Sequence, residues 1–347
     1  MFMNDLFMND VGARPRNSRN REPVCQAIHK LTGQVLRRGQ ARDRLNAVPR
    51  PFLGSKGETN MMERHGSFVW YELMTTDMAA AATFYANVVG WGAQQASTPD
   101  LAYTLFTAGS ISLGGLMELP EDARKMGATP RWMGYVGVND VDAAAERTKR
   151  LGGDVYVPPT NSNIGRISVV ADPQTAILAL VTGLKPSQQQ STDLNEPKRV
   201  GWHELLAADG EKAFAFYGEL FGWQKVDSEL GPTETYQLFS TSGQTIGGMF
   251  TKRPVEQVPY WLYYFNIGDI DAAAERVKTG GGRIFEGPFE VPDGWIVRCI
   301  DPQGAIFALQ GKRSRDSGGR APASEVSWFT EWGGISSRGR LITKPRG

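Results

Sequence analysis

Two stretches of this chain, 132 residues apart, are nearly the same. From Trp70 the sequence reads WYELMTTDMAAAATFYANVVGW, and from Trp202 it reads WHELLAADGEKAFAFYGELFGW, aligned without a gap. Further on, LGGLM (113–117) is matched by IGGMF (246–250), PRWMGYVGVNDVDAAAER (130–147) by PYWLYYFNIGDIDAAAER (259–276), and ADPQTAILAL (171–180) by IDPQGAIFAL (300–309). The chain is a duplication whose unit is about 115 residues long, enough to bury a core of its own. Whatever it folds into has to be buildable twice from one pattern.

Within each unit the hydrophobic period changes in a fixed order. FVWYELM alternates as a strand, Asp77 is placed to cap a helix, and MAAAATFYANVV carries apolar residues at helical spacing that stop at Gly90. WGAQQA, YTLFTA and ISLGGLMEL then read as three short strands. RWMGYVGV restarts the pattern, with a helix over VDAAAERTKRLGG and strands near 154–157, 167–171 and 176–182. Each unit is thus two βαβββ modules, an α+β arrangement, and the chain holds four modules.

That order of elements, with D-x₆-FY-x₄-GW after the first strand, VNDVDAAAER or GDIDAAAER at the module boundary and DPQ before the last strand, resembles the vicinal oxygen chelate superfamily. Glyoxalase I, extradiol dioxygenases, and fosfomycin- and bleomycin-resistance proteins belong to it. The resemblance covers about 66–184 and 199–312. It implies that each pair of modules curves into one sheet around a cup, with helices on the convex side and chemistry inside.

The resemblance also shows where metal ligands would stand: seven residues before the Asp that opens the first helix, at the start of the second module's first strand, and near the last strand. Those positions hold Trp70, Met133 and Ala179 in the first repeat, and Trp202, Leu262 and Ala308 in the second. Indole, thioether and alkyl groups do not bind the hard cations that carboxylate and imidazole sites hold. Shifting the register by one residue turns each side chain to the other face. No metal and no other cofactor is therefore expected. His203, one residue past a ligand position, is expected on the helix-covered or interface side of its strand.

What the repeats share instead is a Trp–x–Glu pair. Trp70 and Glu72, like Trp202 and Glu204, have one parity and are predicted to face the cup together. A carboxylate in an apolar cup needs a partner or a shifted pKa. One reading makes Glu72 and Glu204 ligand-holding or acid–base groups beside a stacking indole, with Trp70, Met133, Trp202 and Leu262 as further contacts. The other makes them structural, bonded to backbone or to an arginine such as Arg166 or Arg298. Phe84-Tyr85 and Phe216-Tyr217 are expected in the core. Trp132, Tyr135, Trp261, Tyr263 and Tyr264 begin a strand with one face toward the cup, and some are expected to line it. The glycine pairs 114–115 and 247–248 interrupt strands, so a bulge or a close backbone approach is expected there.

Composition excludes several classes. Net charge is +1, with 22% charged and 41% hydrophobic residues, which gives the repeats no electrostatic case for nucleic acid. No apolar run is long enough to span a bilayer. Cys25 and Cys299 do not make a disulfide framework, and a cytoplasmic location is expected. The arginine-rich residues 1–65 and the Gly/Ser/Arg-rich residues 313–347, with their aromatic patch VSWFTEWGG, are expected to be disordered, and 185–198 to be a linker. A true start at Met61 or Met62 is the preferred reading of the leading segment. The expected function is metal-independent binding of a small organic molecule in one or both cups. A glyoxalase-like lyase or dioxygenase-related enzyme and a non-catalytic scaffold are the competing readings, and a homodimer is compatible with all three.

Overall fold

The computed structural model describes residues 65–313 apart from 99–100, 126, 185–192, 228–235, 255, 257 and 293. The basic leading segment with Cys25 and His29, most of the linker, and the tail with its aromatic patch lie outside the described residues. In the first repeat the elements are β1 (Phe68–Thr75), α1 (Met78–Val89), β2 (Gly92–Gln95), β3 (Tyr103–Ala108), β4 (Ile111–Glu118), α2 (Glu121–Lys125), β5 (Arg131–Gly137), α3 (Val141–Arg150), β6 (Asp154–Ser162), β7 (Gly165–Ala171) and β8 (Ile177–Thr182). The second repeat follows with β9 (Val200–Ala207), α4 (Gly210–Phe221), β10 (Gln224–Val226), β11 (Tyr236–Thr241), β12 (Gln244–Thr251), β13 (Tyr260–Asp269), α5 (Ile270–Thr279), β14 (Arg283–Val291), β15 (Gly294–Ile300) and β16 (Ile306–Lys312). None of the described helices is long and apolar enough to cross a membrane.

The helices start and stop where local chemistry dictates. Asp77, Asp140, Asp209 and Asp269 each accept a backbone N–H three residues on, from Ala80, Ala143, Lys212 and Ala272. α1 and α4 end at Gly90 and Gly222 in the left-handed region, φ 84° and 75°, which a side chain would oppose.

Each repeat forms its own eight-stranded sheet, in the order β2-β3-β4-β1-β5-β8-β7-β6 and then β10-β11-β12-β9-β13-β16-β15-β14. The modules therefore pair within a repeat. β1 runs antiparallel to β5, with Glu72 opposite Met133 and Trp70 opposite Tyr135; β9 and β13 set Glu204 opposite Leu262 and Trp202 opposite Tyr264. Alternation then sorts the side chains. One face of the first sheet carries Trp70, Met133, Tyr135, Val169, Ala179 and Val181, which pack as one cluster; the matching face of the second carries Leu262, Tyr264, Ala308 and half-buried Trp202. These are the cup faces.

The opposite faces and the helices meet across the two repeats in one continuous core, which runs from Phe68 and Phe84 to Phe265 and Phe307. Trp132, Trp261 and Tyr263 belong to that core, whereas Tyr135 and Tyr264 line the cups. The interface has approximate two-fold symmetry that the hydrogen bonds make explicit. Tyr85 donates to Asp301 Oδ2 at 3.1 Å, and its counterpart Tyr217 donates to Asp172 Oδ2 at 3.2 Å. Trp132 and Trp261 donate in turn to the two tyrosine hydroxyls, at 2.8 and 3.2 Å. Trp91 caps the Lys198 carbonyl and Trp223 the Gly66 carbonyl, at 2.8 and 2.6 Å. The FY, GW and DPQ residues of each repeat thus fasten it to the other one.

On the axis itself, equivalent positions face each other. Tyr71 Oη lies 2.6 Å from His203 Nε2, and the Gly134 amide donates to Tyr263 Oη at 2.7 Å. His203 is buried and stacks on Phe68 at 4.1 Å between ring centroids. Its Nδ1 lies 2.6 Å from the Ile246 carbonyl, which can only accept, so Nδ1 carries the proton and Nε2 accepts from Tyr71. Burial lowers the imidazole pKa to about 4. His203 is on the interface side, as strand parity requires.

Candidate functional site

The first cup is organised around Glu72. Tyr103 from β3 and Tyr135 from β5 donate to its two carboxyl oxygens, both at 2.6 Å. The glycine pair makes this possible. Tyr103 lies across β4 so closely that a Cβ on Gly115 would collide with its hydroxyl, and the same holds in the second repeat for Gly248 and the Tyr236 ring. A Cβ on Gly114 would come within 2.7 Å of the Tyr71 carbonyl. The close approach expected at the glycine pairs therefore has a purpose: it lets a tyrosine reach the glutamate.

The second cup repeats the arrangement. Tyr236 and Tyr264 donate to Glu204 at 3.0 and 2.7 Å. Here a cation is added. Arg298, fully buried on β15, donates to Glu204 Oε2 at 2.5 Å, to Glu286 Oε2 at 2.7 Å and to Tyr264 Oη at 3.2 Å. Glu286 pairs onward with Arg253 near the surface. Trp202 Nε1 completes the set by donating to Tyr236 at 3.0 Å. Of the two arginines considered as partners, Arg298 holds Glu204, while Arg166 pairs with Asp142 at 2.6 Å and takes no part in the first cup.

The strand position of Arg298 is held by Val169 in the first repeat: Arg298 pairs with Ala308 and Val169 with Ala179. Glu72 is 6% exposed, and only burial and the two tyrosines act on its charge. Burial raises its pKa above the ordinary carboxylate value, and the hydrogen bonds from Tyr103 and Tyr135 pull part of that back. Trp70 is wholly buried; its indole N–H lies near the Tyr103 hydroxyl but outside hydrogen-bond geometry.

The residues at the family's metal positions do meet inside the cups: Trp70, Met133 and Ala179 in the first, Trp202, Leu262 and Ala308 in the second. They offer no donor set that fits a divalent cation. Among the described residues no group of three or more His, Cys, Asp or Glu side chains is placed to hold one.

The chain belongs to the Glyoxalase/Bleomycin resistance protein/Dioxygenase superfamily, whose family profile matches residues 67–177 and again 199–309. Among its relatives is CFP32 of Mycobacterium tuberculosis, named provisionally as a glyoxylase, 31% identical over 251 residues that cover 71% of this chain and 95% of that protein. The anthracycline biosynthesis protein DauV of Streptomyces sp. (strain C5) is 29% identical over 258 residues, covering 70% and 92%. In fold, the chain is similar to the Mn(II)-bound glyoxalase of Novosphingobium aromaticivorans, with a TM-score of 0.50 at 16% identity over 72% of this chain and 82% of the other. It is also similar to the 2,3-dioxygenase LapB of Pseudomonas sp. KL28, with a TM-score of 0.51 at 12% identity over 72% and 94%. At such identities the likeness concerns the fold alone. The protein is a tandem member of the family, two glyoxalase-type domains in one chain.

Sequence parity was enough to put Trp–x–Glu on the cup faces. The tyrosines that hold the glutamates were harder to read. Nothing in YTLFTA marks Tyr103 as a partner of Glu72, and nothing in YQLFST marks Tyr236 as a partner of Glu204; a GG pair opposite an aromatic strand is the one signal the sequence offers.

Proposed function

We propose that this protein binds a small organic molecule in a cup without a metal. One observation carries this reading: both cups keep a buried carboxyl between two tyrosine hydroxyls, while the family's metal positions hold Trp70, Met133 and Ala179, or Trp202, Leu262 and Ala308. A buried polar cluster costs desolvation energy that an apolar core would avoid, so its presence in both repeats favours a recognition role. Trp70, Glu72 and Met133 are the contact residues in the first cup; in the second, Trp202 and Leu262 stand at the matching positions, with Glu204 already held by Arg298. Names given to relatives, a glyoxylase and an anthracycline biosynthesis protein, also belong to small-molecule chemistry. Cys299, buried with its thiol pKa pushed up by burial, is an inert thiol suited to the cytoplasm.

The test is a thermal-shift screen of the full chain after metal stripping, against divalent metals and small aromatic, cationic and thiol-adduct compounds. A ligand that binds only the folded state raises Tm by mass action. A hit that needs no metal and is lost in Glu72→Gln or Glu204→Gln supports the reading. Stoichiometric metal binding that switches on turnover would replace it with a lyase or dioxygenase, and silence throughout with a scaffold.

A further inference from the structure

We infer that the first cup receives the cationic head of its ligand, an amidinium, guanidinium or ammonium group, at the place where the second cup holds Arg298. This deepens the binding proposal and rests on it. The argument is a comparison within one molecule. Both repeats build the same acceptor, a glutamate fixed by one tyrosine from the third strand and one from the fifth, with 2.6 Å bonds in the first and 3.0 and 2.7 Å bonds in the second. The second repeat shows what that acceptor takes. A guanidinium donates to the carboxylate at 2.5 Å and to the Tyr264 hydroxyl at 3.2 Å, and lies 5.9 Å from the centroid of the Phe250 ring.

In the first repeat the acceptor is complete and the cation is missing. Val169 stands where Arg298 would, and among the described residues no lysine or arginine is seen hydrogen-bonded to Glu72; Arg131, two residues from Met133 on the same strand face, donates to the Thr129 carbonyl instead. A buried carboxyl without a cation either keeps its proton or waits for a charge from outside. Trp70, Tyr103 and Tyr135 give the cup an aromatic lining of the kind that accommodates cations. Glu72, Met133 and Val169 are buried with the aromatic rings around them, so a ligand head has to displace Val169 or its neighbours to reach the carboxyl.

The test uses the full chain, free of metal, with benzamidine as the cation and benzamide as its neutral isostere, followed by calorimetry. Benzamidine is expected to bind once per chain, at least tenfold more tightly than benzamide. Val169→Arg, which supplies a resident guanidinium, and Glu72→Gln, which keeps the shape and removes the charge, are each expected to weaken benzamidine tenfold or more. Far-UV circular dichroism shows whether each variant folds, and Glu72→Gln carries the test should Val169→Arg fail. Equal binding of benzamide, benzamidine binding unchanged in Glu72→Gln, or no benzamidine binding at millimolar concentration would each overturn the inference. A neutral compound whose binding is lost in Glu72→Gln would overturn the cation but leave the binding cup standing. Binding that appears only after metal is added would remove both.

Discussion

His203 ties the stability of the duplicated core to pH in a way that can be worked from its surroundings. Its ring is buried between Phe68, Tyr71 and Tyr263, Nδ1 donates to the Ile246 carbonyl, and Nε2 accepts from Tyr71. Protonating Nε2 would set a donor against a tyrosine hydroxyl that must reverse its own bond, and would place a charge where burial leaves it without water. The folded-state pKa of about 4 lies below the unfolded value of 6.5. Between those two values the unfolded chain holds a proton that the folded chain does not, so stability falls as pH falls through this window. By pH 4 the loss reaches about 3 kcal/mol, at 1.36 kcal/mol per unit of pKa difference.

Glu72, Asp172 and Asp301 act in the opposite sense. Burial raises each carboxyl's pKa, so the stability each contributes is present below its unfolded pKa and is lost as pH rises through the folded one. The wild-type pH profile alone therefore mixes signs, and the informative quantity is a difference. Urea unfolding of the wild type and of His203→Asn at pH 7.5, 6.5, 5.5 and 4.5 isolates the imidazole. At pH 7.5 the variant is expected to be the less stable. The gap is expected to close by about 2–3 kcal/mol on going to pH 4.5. Parallel profiles for the two proteins would refute the assignment of a neutral, buried His203.

Two further outcomes follow from the same geometry. Tyr85→Phe and Tyr217→Phe each remove one hydroxyl that accepts from a tryptophan and donates to an aspartate of the other repeat, so each is expected to cost about 1–3 kcal/mol in urea unfolding. Their near-equality is the point to check, because the two bonds are related by the internal symmetry. Gly115→Ala is expected to displace Tyr103 from Glu72 and to destabilise by about 1–3 kcal/mol, whereas Gly115→Ala with Tyr103→Phe is expected to recover part of the loss by removing the colliding oxygen.

How much of this was legible in the sequence depended on which range of interaction was at stake. Strand parity put Trp70 and Glu72 on one face and His203 on the other, because a two-residue period is a property of the local backbone. Helix limits followed from Asp77 and Gly90 for the same reason. What was not legible came from contacts between residues far apart in the chain. Tyr85 and Asp301 are 216 positions apart, and nothing in their own segments marks them as partners. The FY and DPQ residues therefore read as ordinary core and turn residues. The difference between the cups was hidden for a related reason: it rests on Val169 against Arg298, visible only once β7 and β15 are superimposed by their pairing with β8 and β16.

The residues on the axis explain why two repeats in one chain can do what two copies of one repeat could not. In a symmetric dimer a position on the two-fold axis meets itself, so residue 71 would oppose a second tyrosine and residue 134 a second glycine. In this chain Tyr71 meets His203, and donor faces acceptor at 2.6 Å; Gly134 meets Tyr263, and a phenol fills the space a missing side chain leaves. Adding a Cβ at Gly134 would press it to within 2.7 Å of the Tyr263 oxygen and 2.8 Å of the Phe68 ring. Each half of the axis is therefore shaped for the other half and not for a copy of itself. The same freedom extends to the cups: once the repeats differ, Arg298 can close one acceptor while Val169 leaves the other without a cation. Duplication supplies two identical sites, and divergence at a position remote from the interface lets one become structure while the other keeps a carboxyl with no arginine beside it.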